Sequence, residues 1–162
     1  RLAEESLALA DWVKVNDEEL FQLLAWQGGA AMHAERWGSP ALKAGVARLM
    51  DYFQLQRVVV TRGPQGYASF NSQGICDAEG AGLVVPTLVD TVGAGDGFSA
   101  MLLACQLAGR TLPWSLHLAN EYAAAVCGHR GPVLHDLPTH AAWRKRLAAG
   151  AAGSAVAAAG AI

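Results

Sequence analysis

Apolar positions along this chain follow two rhythms. Some come as short unbroken runs, and others recur every three or four residues. Arg57-Val58-Val59-Val60-Thr61 is the clearest short run. Three adjacent β-branched residues predict a strand buried on both faces. Asp11-Trp12-Val13-Lys14-Val15-Asn16 predicts a second strand, running into a loop at Asn16-Asp17. Asp17 is then expected to cap a helix carrying Leu20, Leu23 and Leu24, ended by Gly28-Gly29. Residues 30–38 read as irregular or as a short helix. Ser39-Pro40 opens another helix, with Leu42, Val46, Leu49, Met50 and Phe53 on one face.

Arg62–Gly66 reads as a turn, Tyr67–Asn71 as a returning strand and Gly80–Pro86 as a further one. A helix should start straight after Gly93. Its apolar positions, Phe98, Met101, Leu102, Cys105 and Leu107, lie nearly all round, which predicts a buried helix. Pro113 opens a helix from Trp114 to Cys127, and Gly128–Pro132 is a loop. Leu137-Pro138-Thr139 caps a last helix with Trp143 and Leu147 on its apolar side. From Ala148 the chain is Ala/Gly-rich, which predicts a frayed or disordered tail. The boundaries are thus 1–147 for the folded part and 148–162 for the tail. The order β-α-α-β-β-β-α-α-α argues an α/β fold with a partly parallel sheet covered by helices.

Composition narrows the function classes. The 162 residues are 52% apolar and 16% charged, enough to build a buried core. The net charge of −2 offers no basic face for nucleic acid. No apolar run reaches the length of a membrane span, and Arg1–Glu5 is too acidic for a signal peptide. Cys76, Cys105 and Cys127 are widely spaced, which fits reduced thiols in a cytoplasmic setting. The five histidines, His33, His117, His129, His135 and His140, show no ligand spacing.

Candidate chemistry concentrates in Gly93-Ala94-Gly95-Asp96-Gly97. Glycines before a helix let successive N–H groups converge, and the helix N-terminus adds partial positive charge. Gly95 is expected to take a positive φ there. Such a nest suits a phosphoryl group in transfer, and the Asp96 carboxylate could take a proton from an attacking hydroxyl. A plain glycine turn with an aspartate cap fits the same spacing. The segment is not a Walker A loop, since no Gly-Lys-Ser/Thr follows. Nor is it a dinucleotide fingerprint, because Phe98 stands at the third glycine position.

Asp90-Thr91-Val92-Gly93-Ala94-Gly95-Asp96-Gly97-Phe98 closely resembles the C-terminal signature of the ribokinase-like carbohydrate kinases of the phosphofructokinase-B type. Lys14–Glu19 is similar to that family's Asn-x-x-Glu motif, and Val60–Gly66 to its Thr-x-Gly-x-x-Gly nucleotide loop. Ala119-Asn120 through Gly131-Pro132 is similar to its adenine-side segment. The resemblance covers about residues 10–147. In wording it is nearest to bacterial fructokinase-like members, with ribokinase and keto-deoxygluconate kinase as other readings.

The resemblance implies a three-layer α/β/α core and ATP-dependent phosphorylation of a sugar hydroxyl. Asp96 would be the catalytic base. The N–H groups of Gly93, Ala94 and Gly95 would form the anion hole. Asn16 and Glu19 would organise Mg²⁺ and its waters. Thr61, Gly63 and Gly66 would line the nucleotide site, with Asn120 near the adenine. A monovalent cation such as K⁺ would sit by Asp90, the backbone of Val92 and the 126–135 loop, where His135 departs from the small polar residue expected. The partner is a small-molecule sugar, and a longer parent could form a homodimer.

Family members are roughly twice as long. Their N-terminal half carries most sugar contacts, a Gly-Gly motif and a β lid. This chain therefore resembles the C-terminal half, which by itself is expected to be inactive. The competing reading is a truncated or degenerate, non-catalytic nucleotide-binding domain.

Overall fold

The computed structural model describes residues 2–27, 38–134 and 136–158. Gly28-Gly29, most of the 30–38 stretch, His33 and His135 lie outside them. The chain divides into two compact units, Arg1–Gly82 and Leu83–Ile162.

The first unit is a mixed sheet with helices. It contains α1 (Leu2–Leu7), β1 (Trp12–Asn16), α2 (Asp17–Trp26), α3 (Pro40–Phe53), β2 (Arg57–Thr61), β3 (Tyr67–Asn71) and β4 (Cys76–Gly80). The strands are ordered β1-β2-β3-β4. β1 and β2 are parallel, with Asn16 opposite Thr61, while β2-β3 and β3-β4 are antiparallel. Residues 17–53 make the crossover that a parallel pair requires. Val58, Val59 and Val60 are all buried, as the branched run predicts. Val58 and Val60 join Leu20, Leu24, Leu42, Val46 and Leu49 in one cluster. Each fully buried aliphatic side chain of this kind contributes roughly 1.5–3 kcal/mol.

Several boundaries differ from the sequence expectation. α1 was not anticipated, and only Leu7 of its six residues is buried. The cap of α2 is Asn16 rather than Asp17. The fourth strand is Cys76–Gly80, not Gly80–Pro86. Its polar composition hides it, because an edge strand with alternating burial needs few apolar residues. The Asn71–Gly74 turn sets its register, with Gly74 at φ 70. Arg57 ties this end of the sheet together, donating to Asp77 Oδ1 at 2.8 Å and to the buried Ser69 Oγ at 2.5 Å.

The second unit contains α4 (Ala94–Leu107), α5 (Leu112–Cys127) and α6 (Leu137–Ala158). Phe98, Met101, Leu102 and Cys105 of α4 are buried, but Leu103 and Leu107 are 60% and 81% exposed. The helix is therefore buried on one side only. α6 continues ten residues beyond Ala148, where a frayed tail was expected. Alanine has the best helix propensity, so an Ala-rich stretch prolongs a helix already started. Arg110 Nε donates to Leu147 O at 3.0 Å and Nη2 to Ala148 O at 3.4 Å.

The start of α6 is capped by Asp136, whose Oδ1 accepts from Thr139 N at 2.7 Å. The Thr139 hydroxyl and backbone N–H hold the Asp136 carboxyl below its usual range. A depressed carboxyl stabilises the folded state above its unfolded pKa. That contribution is lost as pH falls through the folded pKa. Asp136→Ala is therefore expected to lower the melting temperature near neutral pH, with the gap to wild type closing in acid. A gap independent of pH in thermal melts would contradict this assignment.

Candidate active site

In the first unit the candidate residues gather at the C-terminal ends of the parallel strands. Asn16 ends β1 and Thr61 ends β2, directly paired, and Thr61 Oγ1 donates to Val15 O at 3.4 Å. This is the end of a parallel pair where α/β folds place ligands. Asn16 Oδ1 accepts from Glu19 N at 2.7 Å, and Glu19 Oε2 accepts from Asn16 N at 2.7 Å. The two thus form a reciprocal capping box that starts α2. The family motif and the helix start are the same four residues.

Beyond Thr61 the chain makes a 3-10 turn over Gly63–Gln65, closed by Arg62 N donating to Gly66 O at 2.7 Å. Gly63 has φ 50 with open space where a Cβ would project. Gly66 has φ 92, and a Cβ there would lie 2.0 Å from Gly80 O. Gly82 is equally constrained, its Cβ position lying 2.1 Å from Pro64 O. The turn is therefore wedged against backbone 80–82. Gly82 is a contributor that sequence reasoning missed, because nothing in its local wording marks a close approach.

In the second unit the Gly93 turn leads into α4. Gly93 has φ 82 and ψ −5, and a Cβ would meet Pro132 Cβ at 2.4 Å. The positive φ falls on Gly93 rather than on Gly95, which lies within the helix. Ala94 N donates to Thr91 O at 3.2 Å, so of the three expected anion-hole donors that one is already engaged in the turn. The first helical bond is Gly97 N to Gly93 O at 2.7 Å. Gly95 and Asp96 thus contribute first-turn N–H groups that helix geometry leaves without an intrahelical acceptor. Asp96 sits in this turn and is exposed. Gly97 is buried, its Cβ position 3.2 Å from Val126 and 3.3 Å from Tyr122. Asn120 lies within α5 and is half-buried.

Asp90 clasps two loops of this unit. Its Oδ1 accepts from Val92 N at 3.0 Å and its Oδ2 from Gly131 N at 3.2 Å. Those two N–H groups hold its carboxyl below the usual range, and the Arg130 charge adds to the effect. Gly131 and Pro132 therefore meet the Asp90–Gly93 segment twice, once by hydrogen bond and once by close packing.

Among the described residues no group of three or more His, Cys, Asp or Glu could hold a metal ion. Mg²⁺ needs no such cluster, because it keeps several waters and takes one or two carboxylates beside phosphate oxygens. Glu19 and Asn16 supply hard oxygen donors of that kind. Among the described residues no helix is long and apolar enough to cross a membrane.

The chain is similar to several known proteins. A fructokinase of Klebsiella pneumoniae is 35% identical over 127 residues, which are 77% of this chain and 36% of that protein. The chain thus spans little more than a third of that relative's length. Ribokinase of Arabidopsis thaliana, solved with ribose and ATP, superposes with a TM-score of 0.66 at 24% identity, over 79% of this chain and 38% of that one. An E. coli putative ribokinase II, solved with ATP and Mg²⁺, gives 0.64 at 22% identity, over 89% and 42%. These likenesses show a ribokinase-like α/β fold. The family model for pfkB family carbohydrate kinases matches residues 1–140. With the Gly93 turn, the Asp96 helix start and the paired Asn16 and Thr61 strand ends in place, the chain belongs to the pfkB family of carbohydrate kinases.

Proposed function

We propose that this chain is the nucleotide-side part of a kinase that transfers the γ-phosphoryl group of ATP to a sugar hydroxyl. The observation that carries the reading is the exposed Asp96 carboxylate in the first turn of α4, directly after the positive-φ Gly93. The carboxylate takes the proton of the attacking hydroxyl. The N–H groups of Gly95 and Asp96, with the helix dipole, stabilise charge on the transferring group. Gly93 lets the chain turn so that these donors open outwards. Thr61 and the Gly63–Gly66 turn bind the nucleotide, with Asn120 on the adenine side. Asn16 and Glu19 would hold Mg²⁺, which would supply neutralisation of phosphate charge when bound.

Fructose is the substrate favoured, since the fructokinase relative is 35% identical. The test is ADP release by the gene's full product with MgATP and fructose, ribose or keto-deoxygluconate. Sugar-dependent release with fructose preferred supports the reading. ATP binding with no sugar-dependent turnover would favour a non-catalytic nucleotide-binding domain.

The chain covers only 36% of its fructokinase relative and 36–44% of the solved structures that it matches. Residues 1–162 alone are therefore expected to phosphorylate no sugar at a useful rate. Phosphoryl transfer depends on positioning, and well-held substrates account for about 7–11 kcal/mol of barrier lowering. Turnover above about 1 s⁻¹ by this polypeptide, the low end of ordinary enzyme rates, would show that it carries its own sugar site.

A further inference from the structure

Asn16, Thr61, Tyr67 and Gly80 form one row across the sheet, each directly opposite the next. Tyr67 follows the Gly63–Gly66 turn at once, yet only 6% of it is exposed. Its ring lies against Gly80, the last residue of the edge strand β4. A Cβ at Gly80 would stand 2.5 Å from Tyr67 Cζ and from its hydroxyl oxygen, and 2.6 Å from Cε1. An aromatic ring laid over a glycine on an edge strand pins the register of the pair. Gly80 also borders the turn, because its carbonyl oxygen fills the place where a Cβ of residue 66 would project. Two residues on, Gly82 meets Pro64 O of the same turn in the same way. The Tyr67 ring and the Gly66 backbone thus approach one residue, Gly80. Burial pushes the Tyr67 hydroxyl above the usual tyrosine range, so this side chain acts by its shape rather than by charge.

We propose that Tyr67 is a positioning residue for nucleotide binding, whose ring holds Gly80 and the backbone after it as the seat of the Gly63–Gly66 turn. Without the ring, the end of β4 can shift into the vacated space. Gly66 and Pro64 abut residues 80–82, so the turn shifts with them. Tyr67 acts through Gly80 and not by touching the nucleotide. Position 80 holds glycine, on this account, because the ring occupies the space of its side chain. The proposal rests on the reading of Gly63–Gly66 as the nucleotide turn. It adds to that turn a residue outside the motif itself.

The test is a double-mutant cycle in the gene's full product, with Tyr67→Leu, Gly80→Ala and the two together. ATP affinity is read by calorimetry well below each melting temperature, so that folded protein is measured. Tyr67→Leu is expected to weaken ATP binding about tenfold by emptying the space over Gly80. Gly80→Ala is expected to weaken it by about the same factor, by driving a methyl group into the ring. In the pair the methyl meets a smaller side chain, so the joint loss should stay near about tenfold rather than reach about a hundredfold. Tyr67→Phe restores the ring and is expected to recover most of the Tyr67→Leu loss. In steady-state kinetics the loss should appear in KM for ATP, with kcat at saturating ATP within about threefold of wild type. A merely structural role would lower the melting temperature and leave the ATP affinity of the folded variants unchanged, and that result overturns the proposal. Losses that multiply to about a hundredfold in the pair overturn it too, as does failure of both single variants to fold. If wild type itself binds no ATP, the nucleotide reading has failed and takes the proposal with it.

Discussion

Asp96→Asn in the gene's full product is expected to cut turnover about 10²–10⁴-fold while ATP affinity stays within about threefold of wild type. Asparagine is nearly the same size, and it keeps the first-turn N–H of α4. What it lacks is the ability to take a proton from an attacking hydroxyl. The loss should therefore appear in kcat and equally in kcat/KM, the signature of an interaction made only in the transition state. Asp96 is exposed, so the substitution leaves no buried polar group unsatisfied, and the melting temperature should hold. Steady-state kinetics with fructose, alongside calorimetry with ATP, separate the two effects. Turnover within about threefold of wild type would remove Asp96 from the chemistry.

Gly66→Ala is expected to be the most damaging single methyl in the first unit. The new Cβ would stand 2.0 Å from Gly80 O and 2.5 Å from Ala81 C, both backbone atoms that no rotamer change can move. Its φ of 92 and ψ of −133 also lie in a region that only glycine occupies readily. Strain of about 1–3 kcal/mol adds to an overpacking cost of about 1–3 kcal/mol, so the loss should be about 2–6 kcal/mol. Gly63→Ala is the control. Gly63 shares the same turn and a positive φ, but nothing stands within 4 Å of its Cβ position. Its cost should be only the conformational one, about 1–2 kcal/mol. Denaturant unfolding of both variants checks the contrast. Equal losses would mean that the fit against backbone 80–82 has no energetic weight.

Much of the candidate site is legible because its local signals are strong. Asn16, Glu19, Thr61, Gly63, Gly66, Gly93 and Asp96 stand in motifs whose spacing reports a turn or a helix start, and the structure has a turn or helix start at each. Asn120 is different. It is an ordinary helical residue, and only the resemblance marks it. Asp136, Gly82 and Pro132 went unassigned as individual contributors. Asp136 carries the signal of a cap three residues before Thr139, hidden by the more obvious Leu137-Pro138. Gly82 and Pro132 matter through approaches between segments distant in sequence, which no local pattern encodes.

The elements themselves follow from short-range physics. Branched runs make β1 and β2, proline and serine open α3, and threefold and fourfold spacing marks the buried faces of α2 and α3. Such preferences act between near neighbours, so they can be read along the chain. Other features were settled only when distant segments met. β4 is a strand because β3 offers it a hydrogen-bonding edge, although its own residues are polar. The positive φ falls on Gly93 rather than Gly95, and Pro132 packs where a Cβ of residue 93 would stand. Asp90 spends its charge on Gly131, forty-one residues away. Contacts of that range depend on which surfaces the whole fold brings together, and their sterics and hydrogen bonds decide what local preference leaves open.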